Sequence, residues 1–126
     1  MSLAYQLVML VEDNSLDVFI HQRLINLTGF AKETIVFNNV NDALAYLNSN
    51  QPKPELIFLD LHLPIANGFD FLIEFQQSVF NNIPVVMLTS SIDADDQIKV
   101  MEYPSVVSFI SKPLKKELLQ ELLKRL

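Results

Sequence analysis

Glu12, Asp13, Asp60, Thr89 and Lys112 each stand at or just beyond the end of a short apolar run. Leu7-Val8-Met9-Leu10-Val11 runs into Glu12 and Asp13, and Leu56-Ile57-Phe58-Leu59 runs into Asp60. Val85-Val86-Met87-Leu88 runs into Thr89, and Val106-Val107-Ser108-Phe109-Ile110 leads to Ser111, Lys112 and Pro113. If these runs are parallel strands of one sheet, their carboxyl ends lie side by side. Three carboxylates, a hydroxyl and an ammonium then meet at one edge, which is where open α/β sheets bind ligands. Two carboxylates about 4 Å apart repel by about 4 kcal/mol at an effective dielectric of about 20. Either one of them takes up a proton or a divalent cation neutralises the group. The donors are all oxygens, which suits Mg2+ or Mn2+ better than zinc. Mg2+ commonly keeps part of its shell for water and phosphate oxygens, so such a site leaves room for a phosphoryl group.

Asp60 is the nucleophile candidate, because carboxylates form acyl phosphates. Lys112 suits a non-bridging phosphoryl oxygen as a mobile point charge, and Thr89 would donate a hydrogen bond to another. Phosphoryl transfer asks for little beyond positioning and charge stabilisation. Taken singly, each residue has a plainer reading: a turn aspartate, a β-branched strand residue, a solvated lysine. Their joint occurrence at four strand ends, in this order, points to chemistry.

The elements that must position them alternate along the chain. Strands are expected over ~6–11, ~33–37, ~55–60, ~83–89 and ~106–110, by apolar content and length. Helices are expected over ~15–29, from Asn41 to about 47, and over ~68–78, ~93–102 and ~114–125. In the first helix Asn14 or Ser15 is the N-cap and Gly29 the stop, with Leu16, Phe19, Ile20, Leu24 and Leu27 as its apolar positions. Asn41 is read as the cap of the second helix, and Pro64 and Gly68 punctuate the loop before the third. Pro104 limits the fourth. The last helix carries Leu114, Leu118, Leu119, Leu122, Leu123 and Leu126. Nearly unbroken apolar content in strands one, three and four marks strands buried on both faces of a parallel sheet. Five strand-then-helix units imply a three-layer α/β/α domain over residues 1–126. With right-handed crossovers and the flavodoxin-like order 2-1-3-4-5, strands one and three flank the switch point. Glu12-Asp13 and Asp60 fall there.

Composition narrows the field. The 126 residues are half hydrophobic and contain no cysteine, so a folded domain without disulfides, a thiolate nucleophile or a cysteine zinc site is expected. No apolar run approaches the ~20 residues of a membrane helix. The start lacks the layout of a secretory signal, and a cytoplasmic location is expected. A net charge of −6 argues against nucleic acid as a direct partner. Lys115-Lys116 and Lys124-Arg125 are read as solvated charges of the last helix.

Val11-Glu12-Asp13-Asn14, Leu59-Asp60-Leu61-His62-Leu63-Pro64 with Gly68 eight residues after Asp60, Leu88-Thr89-Ser90-Ser91 and Ser111-Lys112-Pro113 form an ordered set. Over essentially its whole length the chain resembles the receiver domain of two-component response regulators. The resemblance implies that Glu12 and Asp13 hold Mg2+ (or Mn2+), Asp13 most directly, together with Asp60 and the backbone carbonyl of His62. It implies that Asp60 accepts a phosphoryl group from a phosphohistidine on a sensor histidine kinase or histidine phosphotransfer protein. Thr89 and Lys112 would then grip the phosphoryl oxygens, and the Lys112–Pro113 bond is expected to be cis. Thr89 and Phe109 are the implied switch residues, altering the surface of helix four, strand five and helix five, through which a homodimer could form. Phe109 lacks the hydroxyl of the commoner tyrosine, which leaves burial as the main difference between its two positions. His62 stands where side chains influence dephosphorylation. Met101-Glu102-Tyr103-Pro104-Ser105 departs from the usual small pair before strand five. Tyr103, Ile98 and Val100 border that departure and are read as a candidate partner patch, with core packing favoured for Ile98.

Such a chain acts on its own aspartate and is a signalling module rather than an enzyme. Other readings are an aspartyl-nucleophile phosphatase, a flavodoxin-like cofactor binder and a receiver-fold scaffold that is never phosphorylated. The first wants a second aspartate where His62 stands. The second wants a phosphate loop where Glu12-Asp13 would repel an anion. The third is argued against by the full set of Glu12, Asp13, Asp60, Thr89 and Lys112.

Overall fold

The computed structural model describes residues 5–63, 65–90 and 93–125. Its elements are β1 (Tyr5–Val11), α1 (Ser15–Leu27), β2 (Ala31–Phe37), α2 (Val40–Leu47), β3 (Leu56–Leu59), α3 (Gly68–Gln76), β4 (Val85–Thr89), α4 (Ala94–Met101), β5 (Val106–Ser111) and α5 (Lys116–Arg125). The strands form one parallel sheet in the order β2-β1-β3-β4-β5. The expectations for Pro64, Ser91 and Leu126 fall outside the described residues.

Side chains alternate across a strand, and both faces of this sheet are covered. Met9, Val11, Ile57, Leu59, Val85 and Met87 face one core, with Val40, Phe71, Phe75 and Val100 from α2, α3 and α4. Val8, Leu10, Leu56, Phe58, Val86 and Leu88 face the other, with Ile25 from α1 and Leu119 and Leu122 from α5. This is why β3 and β4 are buried at every position. Fully burying one such side chain is worth about 1.5–3 kcal/mol, so the central strands are the best-anchored part of the fold.

Two helix readings need correction. Asn39, not Asn41, caps α2: its side chain accepts the amide of Asp42, and Val40 is already helical. Both asparagines suit a cap, but a start at Asn39 lets Val40 enter the core at 2% exposure. In α1 the residues facing the sheet are His21 and Ile25, with Val18 and Leu24 half-buried. Leu16, Phe19, Ile20 and Leu27 are 65%, 61%, 38% and 67% exposed. Apolar residues nearly encircle this helix, so periodicity alone did not say which face turns inward. Ile98 is likewise exposed on α4, whereas Val100 is fully buried.

Gly68 ties the fold to the strand-end cluster. A Cβ there would lie 2.8 Å from the carbonyl oxygen of Asp60 and 2.8 Å from Cα of Leu61. Its amide donates to the Leu61 carbonyl at 2.9 Å. The first turn of α3 therefore packs directly on the backbone that carries Asp60. Between them Ile65 adopts φ 68 and is fully exposed, a conformation that β-branched residues rarely take. We expect Gly68→Ala to lower unfolding stability by about 1–3 kcal/mol through overpacking against backbone, read by urea denaturation. It should also weaken divalent-cation binding, because the displaced atoms belong to the Asp60 segment. Wild-type values for both would mean that the close approach is not as described.

Candidate functional site

Backbone hydrogen bonds set the strand ends in register. The Asp60 amide donates to the Val11 carbonyl at 3.0 Å, the Glu12 amide to Phe37 at 2.9 Å, and the Lys112 amide to Thr89 at 2.8 Å. Val11 pairs with Leu59, and Thr89 with Ser111. With Leu59 paired to Met87, Glu12, Asp60 and Lys112 just past β1, β3 and β5 and Thr89 at the end of β4 are delivered to one rim. Glu12, Asp13 and Asp60 each bring a carboxylate oxygen to within 4.8 Å of the others. Glu12 is 1% exposed and Asp60 5%, while Asp13 is open to solvent.

Lys112 reaches into this cluster from the end of β5. Its ammonium bonds Glu12 Oε1 at 2.5 Å, Asp17 Oδ2 at 2.9 Å and Asp60 Oδ2 at 3.1 Å. Asp60 Oδ1 also accepts the backbone amide of His62 at 3.2 Å, and Glu12 Oε2 that of Asn14 at 3.3 Å. The His62 side chain is exposed. Thr89 is fully buried at the end of β4. Phe109 pairs in register with Met87 and packs half-buried against the same core. The Lys112–Pro113 peptide is cis.

The charges are unequally stable. Burial pushes the Glu12 carboxyl up to about 7, with Asp60 adding to the rise and Lys112 opposing it. Burial works against the Lys112 ammonium, but bonds to Glu12, Asp17 and Asp60 outweigh it and raise its pKa. His21, buried on α1, is held below its ordinary value by burial and by Lys112, against the opposing pull of Asp17 and Asp60. Its Nδ1 has no hydrogen-bond partner.

All five residues singled out at the strand ends meet at this rim. Asp17 was missed, because on sequence it reads as an ordinary acid in the first turn of a helix. Its place three residues after the Asn14 cap, close to Glu12 and Asp13 in the chain, was the available signal. An all-oxygen donor set at this spacing fits a hard divalent cation, which would supply charge neutralisation held by Glu12, Asp13 and Asp60.

The family model "Response regulator receiver domain" matches residues 8–124. Among curated proteins, the chain is 35% identical over 103 residues to the response regulator Rcp1 of Synechocystis sp., covering 77% of this chain and 70% of Rcp1. A solved Mn2+-bound form of Rcp1 superposes with a TM-score of 0.80 at 31% identity, covering 95% of this chain and 90% of that one. The phosphorylated cyanobacterial phytochrome response regulator RcpA gives a TM-score of 0.81 at 30% identity, covering 96% and 90%. Hybrid signal transduction histidine kinase L of Dictyostelium discoideum is 27% identical over 94% of this chain, which spans only 7% of that protein's length. The chain belongs to the response regulator receiver domain family of two-component signalling. Among its described residues, no helix is long and apolar enough to cross a membrane.

The Glu12 shift has a signed consequence. Between pH 4.5 and about 7 the folded chain holds a proton that the unfolded chain has lost. Stability without divalent cation should therefore fall as pH rises through that window, by on the order of 2 kcal/mol. A divalent cation competes with this proton, so its stabilising effect in thermal melts should be larger at pH 8 than at pH 6. Equal effects at both pH values, or a rise in cation-free stability across the window, would contradict this account of Glu12.

Proposed function

We infer that this receiver domain is a phosphoacceptor switch in which Asp60 takes a phosphoryl group from a phosphohistidine. The observation that carries the reading is the meeting of Asp60 with Glu12, Asp13 and Lys112 at one rim. An Asp60 carboxylate oxygen forms the new bond to phosphorus while the phosphorus–imidazole bond breaks. The bonding pair goes to the imidazole nitrogen of the donor. Mg2+, held by Glu12, Asp13 and Asp60 with the His62 carbonyl, would draw negative charge off the transferring group. Lys112 holds one non-bridging oxygen and Thr89 another, so both sides of the group are fixed.

Lys112 sits between carboxylates and arriving phosphate, and an ammonium offers three hydrogens to share among them. Thr89 shares the strand parity of Met87, whose register partner is Phe109. A Thr89 hydroxyl drawn toward the phosphoryl group would vacate space beside the core on which Phe109 packs. Phe109 would then fill it, and the α4–β5–α5 surface would change. This is a two-state equilibrium biased by new charge-assisted bonds. Ile98 and Met101 stand exposed on α4 at 61% and 44%, apolar surface that a second copy of the chain would cover. On this reading the chain acts on its own aspartate, not on a pool of substrate. It takes its phosphoryl group from a histidine kinase or histidine phosphotransfer protein in the cytoplasm. Its acidic net charge favours protein over nucleic acid as the next contact.

Incubation with acetyl phosphate and Mg2+, followed by intact-mass measurement, should show one added phosphoryl group. Asp60→Asn and added chelator should each abolish it. Absence of any adduct would leave the fold as a scaffold, and sustained hydrolysis of many phosphate esters would make it a phosphatase. Lys112→Ala should still bind the divalent cation, by calorimetry, while losing the phosphorylation-dependent change in Phe109 NMR signals. Loss of cation binding in that variant would put the lysine in a different role.

A further inference from the structure

The three helices with asparagine caps treat their third residue differently. In α3 the Asp70 carboxylate reaches back and accepts the amide of the Asn67 cap at 2.8 Å, closing a capping box. In α2 the Asp42 carboxylate accepts from the side-chain amide of its cap, Asn39, at 2.8 Å. Asp17 occupies the same position in α1, and its own amide donates to the Asn14 cap at 3.0 Å. Its carboxylate does not reach back. The Asn14 amide goes to Glu12 instead, and the Asp17 carboxylate turns to Lys112.

The Lys112 ammonium is thereby saturated. An ammonium has three hydrogens and no other donor, and Glu12, Asp17 and Asp60 take one each. A phosphoryl oxygen cannot be gripped until one of these contacts is given up. Glu12 is buried at 1% side-chain exposure, so water cannot take the place of the ammonium there. Asp60 carries the group itself. Asp17, at 31%, is the most exposed of the three and is readily rehydrated. It is also the one partner of Lys112 that lies on a helix rather than at a strand end.

We propose that Asp17 is a positioning residue that holds Lys112 in the unphosphorylated site and is the partner exchanged when a phosphoryl oxygen arrives. It rests on Asp60 being the phosphoacceptor. Asp17 competes with the phosphoryl group for the third hydrogen of Lys112, so it sets how readily the lysine engages. The exchange also reports phosphorylation to the first turn of α1, beside exposed Leu16, Phe19 and Ile20.

The test is a titration of the Mg2+-loaded chain with beryllofluoride, a phosphoryl mimic, with the Asp17 carboxyl carbon followed by NMR. That resonance should move to the position of a hydrated aspartate as the mimic saturates. In Lys112→Ala it should already sit there before any mimic is added. Asp17→Asn should bind beryllofluoride about two- to fivefold tighter, the size of a partly exposed ion pair. An Asp17 resonance that stays in place at saturation, or unchanged or weaker binding by a folded Asp17→Asn, overturns the exchange. Should Asp17→Asn not fold, the resonance arm on the native chain still decides. A native chain that binds no beryllofluoride fails the phosphoacceptor reading itself, and the exchange with it. Binding without a response at Asp17 removes the exchange alone.

Discussion

The site depends on one ammonium set among buried carboxylates. Glu12 and Asp60 lie almost wholly out of water, and Lys112 is the cation in direct contact with both. Burying a charge without a partner costs several kcal/mol, and removing one member of a buried pair is worse than never having had it. The strand ends can carry these acids because the lysine from β5 reaches past β4 and β3 to Glu12 beyond β1. That span also makes the cluster a tie across the sheet, joining its edge strand to its middle.

Such a tie requires the strand ends to be held in register, with Val11, Leu59 and Met87 side by side and β4 and β5 running two residues further. The amide-to-carbonyl bonds from Asp60 to Val11 and from Lys112 to Thr89 secure its two halves, and the pairing of Leu59 with Met87 joins them. A one-residue slip in any strand would turn its side chains to the opposite face. Burial on both faces of β3 and β4 makes such a slip costly, so packing at the core protects geometry at the rim. Gly68 extends the same logic to the loop. Only the absence of a Cβ lets α3 begin against the Asp60 carbonyl, which fixes the segment from its far side. Core and site are two consequences of one register.

The parts legible in the sequence were those governed by pattern. Long apolar runs announced the strands, and polar residues at their ends announced the rim, because parallel direction follows from the strand–helix alternation and a doubly wound order puts the ligand site at the strand ends. What could not be read depends on a choice among equivalent local options. Asn39 and Asn41 both suit a helix cap, and tertiary packing of Val40 decides between them. The inward face of α1 carries a histidine, while four of its apolar residues face solvent, so hydrophobicity pointed the wrong way round the helix. Asp17 has the same sequence signature as Asp42 and Asp70, an acid three residues after an asparagine. Its carboxylate is drawn off by a lysine 95 residues away, and no local pattern records that.

Charge balance explains why the arrangement suits an incoming phosphoryl group only under conditions. Glu12, Asp13, Asp17 and Asp60 face one ammonium, so the rim is net anionic and repels a phosphate. A proton on Glu12 lessens that repulsion, and burial favours the proton. A proton cannot, however, bind the entering oxygens. A divalent cation removes twice the charge and offers coordination positions of its own, which a lone lysine cannot do. The same acids that make the site inhospitable to anions alone would therefore, on the proposed function, favour an anion accompanied by a hard cation. On the same reading, Lys112 would add the directional contact once its carboxylate partners were neutralised or exchanged. Repulsion at the resting rim and attraction at the loaded one come from a single set of side chains, and the sign between them is set by what the carboxylates hold.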